Sequence, residues 1–176
     1  MKRRKNRRLF FALWPDQGVR DALQAWQKVC LPESVRPTHR DDLHLTLHFL
    51  GQVDADRVDD LLVLGRNIHV PRFELILDHL GHFARPRVLW AGLESEPIAL
   101  RNLHEDLAEG LRDLRFELES RPYRPHVTLA RKVRTRPEIP DLHAIGWQAR
   151  RWALVESCPG QVPLYTPLQT WDLDEK

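Results

Sequence analysis

Apolar and polar positions divide the chain into short segments of two kinds, some alternating and some recurring every three to four residues. Leu9 to Trp14 is a continuous apolar run closed by Pro15, which predicts a buried strand. Val19, Ala22, Leu23, Trp26, Val29 and Cys30 follow at helical spacing, with Asp16 placed to cap that helix and Leu31-Pro32 to end it. Ser34 to Asp42 is polar, holds Pro37 and predicts a loop leading into a strand that Gly51 closes. Asp54 or Asp56 opens a second helix with Val58, Leu61, Leu62 and Gly65 on its buried stripe. Phe73, Leu75 and Leu77 alternate with Glu74, Ile76 and Asp78, and Val88 to Leu93 is a second short apolar run. Those two segments predict neighbouring strands of one sheet across the turn at Arg85-Pro86. Pro97 suits the first turn of a third helix, whose stripe is Leu100, Leu103, Leu107, Leu111 and Leu114. Arg121-Pro122-Tyr123-Arg124-Pro125 is rich in turn formers and precedes another strand. Trp147 to Ser157 and Val162 to Leu173 read as two closing strands around Pro159-Gly160.

The order strand, helix, strand, helix, strand thus occurs once before residue 80, and a strand, helix, strand and further strands follow it. This predicts an α+β fold of two pseudo-symmetric lobes. Each would be an antiparallel sheet with helices packed on its outer side, and the active-site cleft would lie between them. The domain spans residues 8–176, behind a basic and mobile N-terminus at 1–7.

The repeat carries chemistry. His44-Leu45-Thr46-Leu47 and His126-Val127-Thr128-Leu129 share the pattern His-x-Thr-Leu, and the two histidines lie 82 positions apart. In a strand, successive side chains point to opposite faces, so each His shares a face with its Thr while the residue between them anchors the core. One strand histidine alone would be ordinary; the repeated tetrad is what points to catalysis. Imidazole titrates near pH ~6.5, so one of a pair can accept a proton while the other donates one. Metal-free phosphodiester hydrolysis needs such a base for water and such an acid for the departing oxygen. The Thr46 and Thr128 hydroxyls, with an arginine such as Arg131, can donate to phosphate oxygens. Strict alternation puts Arg131 on the face opposite His126 unless a bulge or strand end intervenes, and it raises the same objection to Phe49. His48 would share the catalytic face with Thr46. On a strand, His44 and His48 stand more than ~10 Å apart, which disfavours a shared metal. Arg36, His39, Arg40, Tyr123 and Arg124 flank the motifs and could line the path of a substrate, an RNA strand if the resemblance given below holds, although solvated loop residues are the plainer reading.

The two tetrads sit among further matching blocks. Arg8-Leu9-Phe10-Phe11-Ala12-Leu13, Asp42-Leu43-His44 with Phe49-Leu50-Gly51, Arg87-Val88-Leu89-Trp90, Arg121 to Leu129 and Tyr165-Thr166-Pro167-Leu168 fall in order from residue 8 to about residue 173. Together they resemble the two-histidine phosphoesterases, and among these the bacterial RNA 2′,3′-cyclic phosphodiesterases, also called 2′-5′ RNA ligases. The resemblance implies an enzyme that opens RNA 2′,3′-cyclic phosphate ends to 2′-phosphomonoesters without metal or cofactor. It implies His44 as proton donor and His126 as proton acceptor, with Thr46, Thr128 and Arg131 at the phosphate and Phe49 stacking on a base. A 5′-hydroxyl in place of water would give 2′-5′ ligation, with tRNA fragments as substrates. Two alternatives stay open: a phosphodiesterase on small cyclic nucleotides or 2′-5′ oligonucleotides, and a non-catalytic RNA-binding module.

Composition narrows the setting. The formal charge is +2, much of the excess lying in Lys2-Arg3-Arg4-Lys5 and Arg7-Arg8. The two cysteines, Cys30 and Cys158, stand far apart, which suits a reducing compartment. No apolar stretch approaches the ~18 residues of a membrane span, and no P-loop pattern occurs. The expectation is a cytoplasmic monomer whose partner is RNA, with no metal and no membrane.

Overall fold

The computed structural model describes residues 6–175. The Lys2-Arg3-Arg4-Lys5 run lies outside them, while Arg7 belongs to the first strand, where Nε donates to Glu156 at 2.9 Å.

The chain runs β1 (Arg7–Leu13), α1 (Gln17–Cys30), β2 (Leu45–Val53), α2 (Val58–Arg66), β3 (Phe73–Leu77), β4 (His79–Phe83), β5 (Val88–Gly92), α3 (Ile98–Asp113), β6 (His126–Arg131), β7 (Ile145–Ala149), β8 (Arg151–Ser157) and β9 (Tyr165–Asp172). Seven strands form one antiparallel sheet in the order β4-β5-β6-β2-β1-β8-β9, and β3 pairs with β7 in a separate two-stranded sheet. The large sheet has two parts, β9-β8-β1-β2 and β6-β5-β4, which meet through a single ladder pair, Leu45 with Val127. Each part carries one His-x-Thr motif, so the expected two-lobed α+β plan holds.

One face of this sheet is covered. Leu9, Phe11 and Leu13 of β1, with Leu45 and Leu47 of β2 and Val127 and Leu129 of β6, pack into one core with Val19, Leu23 and Trp26 of α1, the α3 leucines and the small sheet. Burial of such leucines contributes roughly 1.5–3 kcal/mol each before the entropy of ordering is subtracted. The opposite face carries only a small apolar group, Phe10, Ala12, Ala153 and Val155, and is open for chemistry. Asp16 caps α1 as expected, accepting from the Val19 N–H at 3.0 Å. Pro97 stands just ahead of α3, and its carbonyl takes the first helical N–H, from Arg101. A short 3-10 turn, Ala55–Arg57, precedes α2.

Three expectations about strands are corrected. The Phe73 and Val88 segments are not neighbours: β4 intervenes and pairs with β5, while β3 pairs with β7. β4 reads His79-Leu80-Gly81-His82-Phe83, too polar to announce a strand. Its glycine is required because the Trp90 ring lies where a Gly81 Cβ would stand, 2.0 Å away. The Trp147 to Ser157 run is two strands in different sheets, divided at Arg150, whose carbonyl accepts from the Leu173 N–H. The last strand starts at Tyr165 rather than Val162.

Candidate active site

The junction between the two sheet parts fixes the site. Leu45 and Val127 are antiparallel partners. Extending that register by one residue either way sets His44 opposite Thr128 and Thr46 opposite His126. Leu45 and Val127 are both fully buried on the covered side. Both histidines and both threonines therefore share the open face, related by an approximate two-fold through the Leu45–Val127 pair.

Each imidazole is held in the same way. His44 Nδ1 lies 2.7 Å from the Asp42 carbonyl, and His126 Nδ1 lies 2.7 Å from the Arg124 carbonyl, in both cases two residues upstream. A carbonyl only accepts, so Nδ1 carries the proton and Nε2 is the reactive nitrogen in both rings. His44 Nε2 accepts from the Thr46 hydroxyl at 3.0 Å. Aromatic walls repeat as well: Phe10 and Trp14 stand 4.9 and 5.8 Å from the His44 ring, and Phe83 and Trp90 stand 5.3 and 5.8 Å from the His126 ring. Tyr165 adds an edge contact at 5.0 Å to His44 alone.

Burial disfavours the charged form of both rings. It pushes His44 down to about 4, opposed by the carbonyl and carboxylate of Asp42 and reinforced by the positive charges of Arg131 and His126. His126 is also lowered, by burial first and then by Arg131, against the Arg124 carbonyl. Arg131 thus acts on both imidazoles. The Asp42 side chain is itself buried and accepts from the backbone N–H groups of Leu164 and Tyr165 at 3.0 and 2.9 Å, tying the β8–β9 loop to the first motif.

Two bulges decide which further residues reach the site. Along β2, Thr46 pairs with Ala12 and His48 with Phe11, so Leu47 is an extra residue. Along β6, Thr128 pairs with Trp90 and Ala130 with Leu89, so Leu129 is extra at the matching position. A bulge reverses the alternation beyond it. Phe49 consequently pairs with Phe10, and Arg131 with Val88, on the open face. Phe49 is 39% exposed. The objection from strict alternation to Phe49 and Arg131 is removed in both motifs by the same device.

The bulge also corrects the placement of His48, which leaves the face of Thr46 and turns inward against α3. Its Nε2–H donates to the His104 carbonyl at 2.8 Å, and its ring stacks on His104 at 4.1 Å. His104 in turn stacks on Tyr123 at 3.8 Å, and the Tyr123 hydroxyl donates to the Thr46 carbonyl at 2.9 Å. Burial holds the Tyr123 hydroxyl protonated, well above the usual phenol range, so it remains a donor to the Thr46 backbone. Among the described residues no three His, Cys, Asp or Glu side chains are grouped to hold a metal ion.

A cavity of about 530 Å³ opens beside these residues. Thr46, Phe49, His126, Thr128 and Arg131 line it together with residues of α3 and of the segment before β6, whereas His44 is not among its lining residues. Of the flanking residues expected along an RNA path, Tyr123 and Arg124 line this cavity. Arg40 is instead tied to Asp21 at 2.7 Å, and the His39 ring caps its own loop by accepting from the Asp41 N–H.

Residues 14–157 match the 2′-5′ RNA ligase superfamily. The chain belongs to that superfamily. The RNA 2′,3′-cyclic phosphodiesterase of Escherichia coli strain K12 is 35% identical over 176 residues, covering 96% of this chain and 97% of the relative. The protein of the same name from Thermus thermophilus is 34% identical, covering 94% and 90%. A crystal structure of E. coli LigT complexed with 3′-AMP superposes with a TM-score of 0.86 at 33% identity, covering 96% of this chain and 99% of that one. Within this superfamily member, the residues that sequence reasoning missed are the ring walls of Phe10, Trp14, Phe83, Trp90 and Tyr165, and the buried Asp42. One signal could have found part of this: Phe49 and Arg131 each lie five residues after their histidine, so a bulge required for one is required for its duplicate.

Proposed function

We propose that the protein opens a terminal 2′,3′-cyclic phosphate on RNA to a 2′-phosphomonoester by metal-independent acid–base catalysis. The observation that carries this reading is the pair of imidazoles on one face, each with Nδ1 pinned by a backbone carbonyl and Nε2 left to react. His126 Nε2 takes a proton from water as its oxygen bonds to phosphorus. The P–O3′ bond breaks, and His44 Nε2–H delivers its proton to O3′. Thr46, Thr128 and the Arg131 guanidinium donate to the phosphate oxygens that gain charge. His126 then releases its proton to solvent and His44 regains one.

One neighbour supports this division of labour. The Asp42 carboxylate favours a charged His44, which suits an acid and has no counterpart at His126, while burial and Arg131 favour the neutral form of both rings. The phosphodiester brings the negative charge that favours the protonated His44 in the bound state. With a 5′-hydroxyl as nucleophile the same displacement makes a 2′-5′ linkage, and tRNA halves are substrates of that kind. Both motifs lie on one chain, so a monomer is sufficient. Cys30 and Cys158 are free thiols and no described helix is long and apolar enough to cross a membrane, which fits a cytoplasmic enzyme.

The test uses a short RNA ending in a 2′,3′-cyclic phosphate, with excess EDTA. Wild-type protein is expected to yield a 2′-phosphate end, and His44→Ala and His126→Ala each to lose at least ~10²-fold in rate. Wild-type protein that binds this RNA without opening it would remove the proposal.

A further inference from the structure

Part of the cavity lining takes no part in the proposed opening of the cyclic phosphate. Arg112 near the end of α3, Arg121 and Arg124 before β6, and Arg85 of the β4–β5 turn all line the cavity. Glu119 is the one carboxylate among the lining residues, and it is engaged by Arg121 at 3.0 Å. Among the described residues, Arg85, Arg112 and Arg124 have no carboxylate within 4.0 Å. One unpaired arginine on a surface is ordinary. Several that converge on one cavity repel one another, and they disfavour charge on nearby groups: Arg112 contributes to holding both His48 and His104 below the usual imidazole range. An anion entering that space relieves the repulsion and gains charge-assisted hydrogen bonds.

The same cavity is lined by His126, Thr128 and Arg131, so the anion and the reacting phosphate belong to one ligand. A 2′,3′-cyclic mononucleotide carries only the reacting phosphate. An RNA strand carries the next phosphate one nucleotide away, on the 5′ side of the same ribose. We propose that this arginine group is a binding site for that upstream phosphodiester, with Arg112 as its main contact and Arg124 beside it, and that it makes the protein selective for oligoribonucleotides. The inference rests on the phosphodiesterase reading and names the substrate class of that site.

The test compares kcat/KM for a 2′,3′-cyclic mononucleotide and for a short RNA with the same terminal base and cyclic end. Wild-type protein is expected to favour the oligomer by at least about 10-fold, as one guanidinium–phosphate contact supplies. Arg112→Gln should remove most of that advantage and leave mononucleotide turnover within about 2-fold. A second arm replaces the upstream phosphodiester with a neutral methylphosphonate. The wild-type enzyme should lose the same factor and Arg112→Gln should be insensitive, as two changes to one contact require. Equal turnover of the two substrates by wild type would overturn the site, and so would a methylphosphonate without effect. An equal loss on both substrates in Arg112→Gln would also overturn it. Failure of wild type to open either substrate would instead remove the phosphodiesterase reading beneath it.

Discussion

The His44 and His126 half-sites share a frame, and the differences that bear on charge and binding stand at its two ends. Residues 44–49 and 126–131 follow the same sequence of half-buried, buried, half-buried, buried, buried and exposed positions. In both, Nδ1 is anchored two residues upstream, a Phe and a Trp wall the ring, and a bulged leucine follows the threonine. Those differences lie two residues before the histidine, Asp42 against Arg124, and five after it, Phe49 against Arg131. A symmetric frame sets where the two imidazoles stand, and in the proposed mechanism the changes at its ends bear on which one gives a proton and which side grips the phosphate.

That contrast is broken most severely at Arg131. Arg131→Ala removes the charge that acts on both imidazoles and, in the proposed mechanism, the one that grips the phosphate, and it is expected to lower kcat by roughly 10²–10³-fold, as loss of one transition-state donor does. Single-turnover rates of cyclic phosphate opening measure it, and a loss confined to KM would make Arg131 a binding group only.

The pH profile tests the same contrast without mutation. kcat/KM reports the free enzyme, in which both histidines are held below 6.5. The acid form of His44 is required, and its fraction falls tenfold for each pH unit above its value of about 4. The base form of His126 is required, and it is complete once pH exceeds its lowered value. Above both values only the first trend remains. A bell with an acid-side plateau is expected, falling about tenfold per pH unit above pH ~6.5. A profile flat from pH 5 to 9 would remove the two-imidazole mechanism.

The smallest effect belongs to Phe49. Phe49→Ala should raise KM about 10-fold with kcat nearly unchanged, since stacking on one base is worth ~1–3 kcal/mol and acts on bound substrate and transition state alike. A fall in kcat with KM constant would instead assign Phe49 to the chemistry, as Arg131 is.

Much of this is legible in the amino-acid order. The helical stripe of α1 and its Asp16 cap follow from local spacing, and the repeated tetrad locates the reactive pair. What escapes is set by partners distant in sequence. β4 is a strand because Trp90 covers Gly81, and nothing in His79-Leu80-Gly81-His82-Phe83 announces that cover. The division of the Trp147 to Ser157 run comes from two different sheets claiming its two ends, with no glycine or proline to mark the change. The bulges at Leu47 and Leu129 leave no local trace either, so alternation alone points His48 toward the catalytic face and Phe49 away from it.

The order of strands in the large sheet has a consequence for how the protein is made. β1 is made well before its β8 neighbour, and Tyr165 and the amides that bind Asp42 arrive later still, with β9 and the loop before it. Pairings between the two ends of a chain form late, because closing so large a loop costs entropy before any contact repays it. A nascent chain that has emerged through β6 already carries both histidines, with the setting of His126 nearly complete and that of His44 unfinished. The setting of His44 is therefore completed only when β8 pairs with β1 and β9 with β8.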